Sequence, residues 1–228
     1  MFSYYGSKSK IIDYYPQPEF DIIVEPFAGS ARYSLKYFDR EITLIEKFDK
    51  VYRIWKYLQR ANENDILQLP VPKPEESLNN FAYLSDEEKW LIGYHLRRGC
   101  ARPSLTSGDR CSWDKDKIRI AKNLYKIKHW EIINGDFFEL GTIENATYFI
   151  DPPYSVQKHK YNHHKIDYVK LRGRIDMING QVIVCGNTDD NWMPFVPLRK
   201  MAGNCKTSTE CIWTNQQTAN GFGEMSLF

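Results

Sequence analysis

The chain has 228 residues, 42% of them hydrophobic, and a formal net charge of +2. Such a length suits one α/β domain carrying an insertion, and the apolar content excludes wholesale disorder. No apolar run approaches a membrane span, and Met1-Phe2-Ser3-Tyr4-Tyr5 lacks the apolar stretch of a signal peptide, which argues against membrane and secreted classes.

In chain order, Ile22-Ile23-Val24 is a β-branched run that stops at Glu25-Pro26 and reads as a buried strand. The spacing predicts a helix over 30–38, a second strand over 42–45 and a helix over 49–61 with Val51, Ile54, Trp55 and Leu58 on one face. That alternation predicts a parallel sheet with crossover helices. The pattern then breaks: Pro70, Pro72 and Pro74 make 69–75 an extended connection. Helices are expected over 87–98 and 115–128, with a long loop over 99–112 between them. Strands resume over 131–133, 147–150, 181–185 and 210–213, and Trp192 and Trp213 read as core. The simplest architecture is a doubly wound α/β domain interrupted between about residues 62 and 130.

Charge is unevenly spread. Residues 87–130 hold eleven Lys or Arg against five acids, and 158–174 hold six against one. Two basic zones on a nearly neutral chain suit a polyanion footprint, although solvated helix faces would account for either one alone. His159, His163 and His164 fall among the lysines of the second zone, where a basic loop closing on phosphates fits better than a metal site. Five cysteines, an odd count with no C-x-x-C pair, support neither a disulfide framework nor zinc, and fit a reducing cytoplasm.

In parallel α/β sheets ligands sit at the carboxyl ends of strands, and three features fall there. Glu25-Pro26-Phe27-Ala28-Gly29-Ser30-Ala31 is a small-residue turn from strand to helix. It allows a ligand close to the backbone and offers helix N-terminal amides. Taken alone it fits a plain connection equally well. Glu46 ends the second strand, where a carboxylate can hold the two hydroxyls of a ribose. Asp151-Pro152-Pro153-Tyr154 directly follows a strand, and its prolines hold an acid, a carbonyl and an aromatic ring in fixed relation. An aromatic amine is a poor nucleophile because its lone pair is delocalised into the ring. The Asp151 carboxylate and the Pro152 carbonyl can accept both N–H groups and localise that pair, while Tyr154 stacks on the base.

Together with Tyr4-Tyr5-Gly6-Ser7-Lys8 and Asn134-Gly135-Asp136-Phe137, these motifs resemble, in order along most of the chain, the Dam-type (D12 class) adenine-N6 DNA methyltransferases. The resemblance implies a Rossmann-like S-adenosylmethionine-dependent methyltransferase sheet over 1–61 and 131–228, with a mainly helical target recognition segment inserted over 62–130. It implies S-adenosyl-L-methionine as methyl donor with no metal, and double-stranded DNA whose target adenine is flipped out. It casts Asp151, Pro152 and Tyr154 as catalytic, and Tyr4, Lys8, Pro26, Phe27, Gly29, Glu46, Asp136 and Asp151 as cofactor-binding. Arg97, Arg98, Arg102 and Arg110 of the insertion are the candidate DNA contacts.

The sequence departs from the family at Ala31, where a second glycine is usual, at Glu46, where Asp is commoner, and at the N-terminal motif, which keeps one glycine of two. The rival readings are a cytosine-N4 enzyme, which usually carries Ser in place of Asp151, and a non-catalytic DNA-binding relative. The ending Met225-Ser226-Leu227-Phe228 resembles a bacterial sliding-clamp-binding peptide, and also fits a tail folded back on its own surface.

Overall fold

In a computed structural model, which describes residues 1–97, 100–107, 112–154, 166–202 and 207–216, one seven-stranded sheet organises the chain. Its middle is built from near-continuous apolar runs, as strands covered on both faces require. These are β1 (Ile22–Pro26), β4 (Ala146–Ile150) and β5 (Gly180–Asn187), flanked by β2 (Glu41–Glu46), β3 (Glu131–Asn134), β6 (Val196–Ala202) and β7 (Thr207–Thr214). The order is β3-β2-β1-β4-β5-β7-β6. The first five strands run parallel, and β7 lies antiparallel to both β5 and β6. The expected doubly wound, Rossmann-like α/β architecture is therefore present. Strand order reverses between β1 and β4, so the crevice above their carboxyl ends is the topological switch point.

The predicted face of α2 (Asp49–Arg60) is fully buried at Val51, Ile54, Trp55 and Leu58. Other elements depart from expectation for local reasons. Helix α1 spans only Arg32–Lys36, because Ala31 at its N-cap takes a left-handed φ of 44°. Helix α5 (Trp113–Ala121) ends early, and a 3-10 turn over Leu124–Ile127 replaces its predicted last turns. The strand β6 escaped prediction because Pro197, Arg199 and Lys200 obscure its pattern; an edge strand tolerates them. Helix α6 (Tyr168–Asp176) was hidden inside the second basic zone, since only Leu171 and Ile175 are buried in it. Trp192 and Trp213 are partly buried packing residues and not core.

Segment 62–130 carries α3 (Glu63–Leu67), α4 (Asp86–Leu96) and α5 between α2 and β3. Its regular elements among the described residues are helical. Its Ile66, Leu91, Tyr94, Trp113 and Ile120 belong to the same buried cluster as Phe2, Leu44 and Trp55. Arg98, Arg110, the three histidines of the second basic zone and the ending Met225 to Phe228 lie outside the described residues. No helix among the described residues is long and apolar enough to cross a membrane.

Candidate active site

A cleft of about 370 Å³ opens over the switch point. The N-terminal segment, the β1–α1 turn, the ends of β2 and β4, and the loop after β3 all line it. Five motifs scattered over some 150 positions of the sequence thus share one cavity, because parallel strands deliver all their carboxyl ends to the same edge.

The turn after β1 is tightly wound, with Phe27, Gly29 and Ala31 all in left-handed backbone (φ 65°, 46° and 44°). The positive φ at Gly29 favours glycine, and a Cβ there would crowd the Tyr4 ring at 3.1 Å. Ala31 adopts the conformation a second glycine would hold more cheaply. The expected array of helix N-terminal amides is not realised, since α1 is short and the Ser34 N–H is taken by Glu25 at 3.1 Å. Glu25 also accepts the Ser34 hydroxyl at 2.6 Å, and burial pushes its carboxyl up to about 8.

Glu46 is buried at the end of β2. Its two oxygens accept the Gly29 N–H at 2.9 Å and the Phe48 N–H at 2.8 Å, which tie it to the turn. Burial pushes it up to about 7 against those backbone bonds. Asp136 accepts from Lys47 Nζ at 2.6 Å and from the Phe138 N–H at 3.1 Å. Burial alone would raise its carboxyl; the Lys47 ammonium and the Phe138 N–H outweigh that and hold it below the usual range.

Asp151 sits at the end of β4, half-buried and facing the cleft, with Oδ1 2.8 Å from Lys8 Nζ. Burial and the nearby Glu210 push its carboxyl up, and Lys8 opposes them. Lys8 is held in place by its own segment, which Arg32 pins through the Ser7 hydroxyl at 3.0 Å and the Phe2 carbonyl at 3.1 Å. Tyr168 at the start of α6 donates to the Pro153 carbonyl at 2.6 Å, clamping the diproline turn from the other side.

The structure thus brings together Tyr4, Lys8, Phe27, Gly29, Glu46, Asp136 and Asp151. Pro26, Pro152 and Tyr154 adjoin the cleft without lining it. The Tyr154 ring is buried, and its hydroxyl points inward to Glu210 at 2.6 Å. Arg97, at the end of α4, is exposed, and Arg102 lines a second groove with Lys50, Lys89 and Trp90. That groove meets the first cleft at Phe48.

Sequence reasoning missed Glu210, Tyr15, Lys47 and the role of Glu25. A usable signal existed for Glu210, an acid heading the apolar run Cys211-Ile212-Trp213 in a strand next to the sheet's centre. Among the described residues no group of three or more His, Cys, Asp or Glu side chains is placed to hold a metal ion.

Fold and cleft define a doubly wound α/β protein with an open cleft at its switch point and an acid–proline–proline–tyrosine loop on the cleft's rim. No protein-family model matches the sequence, and no curated protein is similar to it. Solved structures do match. One, described as a methylase of Haemophilus influenzae, is 13% identical with a TM-score of 0.38, over 86% of this chain and 80% of that one. A protein described as a methyltransferase of Escherichia coli is 12% identical at a TM-score of 0.37, over 90% and 78%. An RNA methyltransferase of Salinibacter ruber, in complex with S-adenosyl-L-homocysteine, is 13% identical at 0.36, over 88% and 85%. Identities and scores this low carry no conclusion about what this chain binds or does.

Proposed function

We propose that this chain transfers a methyl group from S-adenosylmethionine to the N6 amine of adenine in DNA. The observation that carries the reading is the placing of Asp151. Its carboxylate, rigidly presented by the diproline turn, faces the same cleft as Glu46 and the Phe27–Gly29 turn.

The residues present fit that cofactor. Gly29 and the Tyr4 ring packed against it line the cleft, whose volume is in the range of small-molecule sites. Glu46 and Asp136 offer acceptors at its rim. Glu46 would take the hydroxyls of a ribose, and Asp136 a ring amine. When bound, the cofactor supplies a methyl group activated by a sulfonium.

The chain's own residues do the rest. One oxygen of Asp151 is held by Lys8, so the other can accept an N–H of the target amine; the family resemblance assigns the second N–H to the Pro152 carbonyl, which adjoins the cleft. Two such bonds would draw the nitrogen lone pair out of conjugation, in the direction needed for in-line attack. After transfer the amine must lose a proton. Asp151 lies beside it with a carboxyl pushed up by burial, which suits it to receive that proton. By this reading the base enters by flipping out of its stack, and the exposed Arg97 and the groove bearing Arg102 would take phosphates and base edges. By the same reading 62–130 is the target recognition segment.

The test is methyl transfer from labelled cofactor to unmodified duplex DNA, with RNA of the same sequence alongside, and digestion to nucleosides. N6-methyladenine from DNA is expected. Label in N4-methylcytosine, label only in RNA, or none at all would each reject the assignment.

A further inference from the structure

We propose that Glu210 is a positioning residue of this site, acting through Tyr154 and Lys8 to keep Asp151 available to the target amine. The inference rests on the reading of Asp151 as the amine's acceptor.

Glu210 lies on β7, opposite Asn187 of β5 and Arg199 of β6, and is only 9% exposed. A carboxylate there is costly unless it is paired and hydrogen-bonded. Its Oε1 accepts the Tyr154 hydroxyl at 2.6 Å and the Tyr15 hydroxyl at 2.7 Å, and lies 3.5 Å from Lys8 Nζ. Three distant stretches meet here: the N-terminal segment, the loop after β4 and the antiparallel strand.

The proton inventory gives the arrangement its direction. An ammonium has three donors. Lys8 has three acceptors in reach: Asp151 Oδ1 at 2.8 Å, Tyr154 Oη at 2.7 Å and the Gly6 carbonyl at 3.3 Å. The Tyr154 hydroxyl has one proton, and it goes to Glu210, so the oxygen turns its lone pairs to Lys8. The Tyr154 hydroxyl and Asp151 Oδ1 are neighbours on one ammonium, at 2.7 Å and 2.8 Å from Lys8 Nζ. Glu210 therefore competes with Asp151 for the Tyr154 proton. While Glu210 holds it, Asp151 keeps lone pairs for the amine. A neutral side chain at 210 would free Tyr154 to donate to Asp151 and occupy the acceptor the substrate needs. Tyr15 anchors the assembly, its ring edge-on to Phe149 at 5.0 Å.

A purely structural role predicts that glutamine serves as well, since its carbonyl can accept both hydroxyls. A positioning role predicts that the charge matters. Glu210→Gln, Glu210→Asp and Tyr15→Phe should be compared with wild type in single-turnover transfer to adenine of unmodified duplex DNA. S-adenosylhomocysteine affinity is measured in parallel. Glu210→Gln is expected to slow transfer roughly 10- to 100-fold while affinity stays within about threefold, because Glu210 does not line the cleft. Glu210→Asp should recover part of the rate. Independently of any substrate, the Asp151 carboxyl followed by carbon NMR should titrate at lower pH in Glu210→Gln, since a neighbouring negative charge is gone. A rate within about twofold of wild type, or affinity falling in step with rate, overturns the proposal. So does an unmoved Asp151 titration. If Glu210→Gln does not fold, Tyr15→Phe carries the same comparison, with a loss of a few-fold expected from one hydrogen bond. A wild type that methylates no adenine rejects the functional reading instead, and the Asp151 titration then decides the positioning role alone.

Discussion

Asp151 combines three properties seldom found together: partial exposure to a cleft, an ion pair to a buried lysine, and a carboxyl pushed up by its surroundings. On the proposed reading, removing it deletes an acceptor that the amine uses as it becomes nucleophilic, so the larger loss belongs in the rate. Asp151→Ala is expected to reduce single-turnover transfer by about a hundredfold or more, a far larger loss than any in S-adenosylhomocysteine affinity. A rate within a few-fold of wild type would remove Asp151 from the chemistry. Glu46 makes a different prediction. Its carboxyl sits near 7 in the free protein because burial disfavours the charge. A ribose donating two hydroxyls favours the charged form, so binding should release a proton when pH is below that value. Affinity for S-adenosylhomocysteine is expected to rise about tenfold between pH 6 and pH 8, and Glu46→Gln should flatten the profile. Calorimetry in buffers of different ionisation enthalpy reads both effects, and a flat wild-type profile would detach Glu46 from the ligand.

At the scale of elements, the junction of β1 and α1 depends on Glu25, which accepts both the backbone N–H and the hydroxyl of Ser34. Burial pushes its carboxyl up to about 8, above the ordinary carboxylate range of an unfolded chain. The folded protein therefore keeps a proton that the unfolded chain has shed. Stability from this group is fully present at low pH and drains away as pH rises towards 8. Glu25→Gln keeps an acceptor for Ser34 and cannot ionise. Its stability relative to wild type is expected to improve steadily from pH 5 to pH 8 and then level off. Denaturant melts of both proteins across that range test it, and a pH-independent gap would show that Glu25 ionises normally. The elements also show where a linear reading fails. Apolar runs such as those of β1, β4 and β5 were legible because a central parallel strand is buried on both faces. The edge strand β6 and helix α6 were not, because they bury too little for a pattern to form.

For the whole molecule, the question is whether the segment 62–130 stands apart. Its helices bury their apolar faces in the cluster that also packs α2 and the sheet, and Trp113 at its centre is fully buried, with its indole N–H donating to the Pro70 carbonyl at 2.9 Å. Segment and sheet should therefore unfold together. Trp113→Ala is expected to lower the stability of the entire chain by about 3–5 kcal/mol and to preserve a single transition by circular dichroism and tryptophan fluorescence. Two separate transitions in wild type would show that the insertion folds alone. In chain order the segment lies between α2 and β3, and its packing makes it part of the main core.

The sequence by itself determined the parallel α/β alternation, the turn at 25–31, the acid at 46 and the loop at 151–154, because each is written in adjacent residues whose local physics is complete: β-branched runs, small residues at tight turns, prolines that lock a backbone. Only the tertiary structure decided that Lys8 reaches Asp151, that Tyr154 turns its hydroxyl away from the cleft, and that Glu210, 59 positions beyond Asp151 in sequence, closes the network. Those outcomes depend on where strand order reverses and on which side chains are driven to share a buried charge. Neither is a property of any short stretch of chain, since burial and pairing are settled only when distant segments meet.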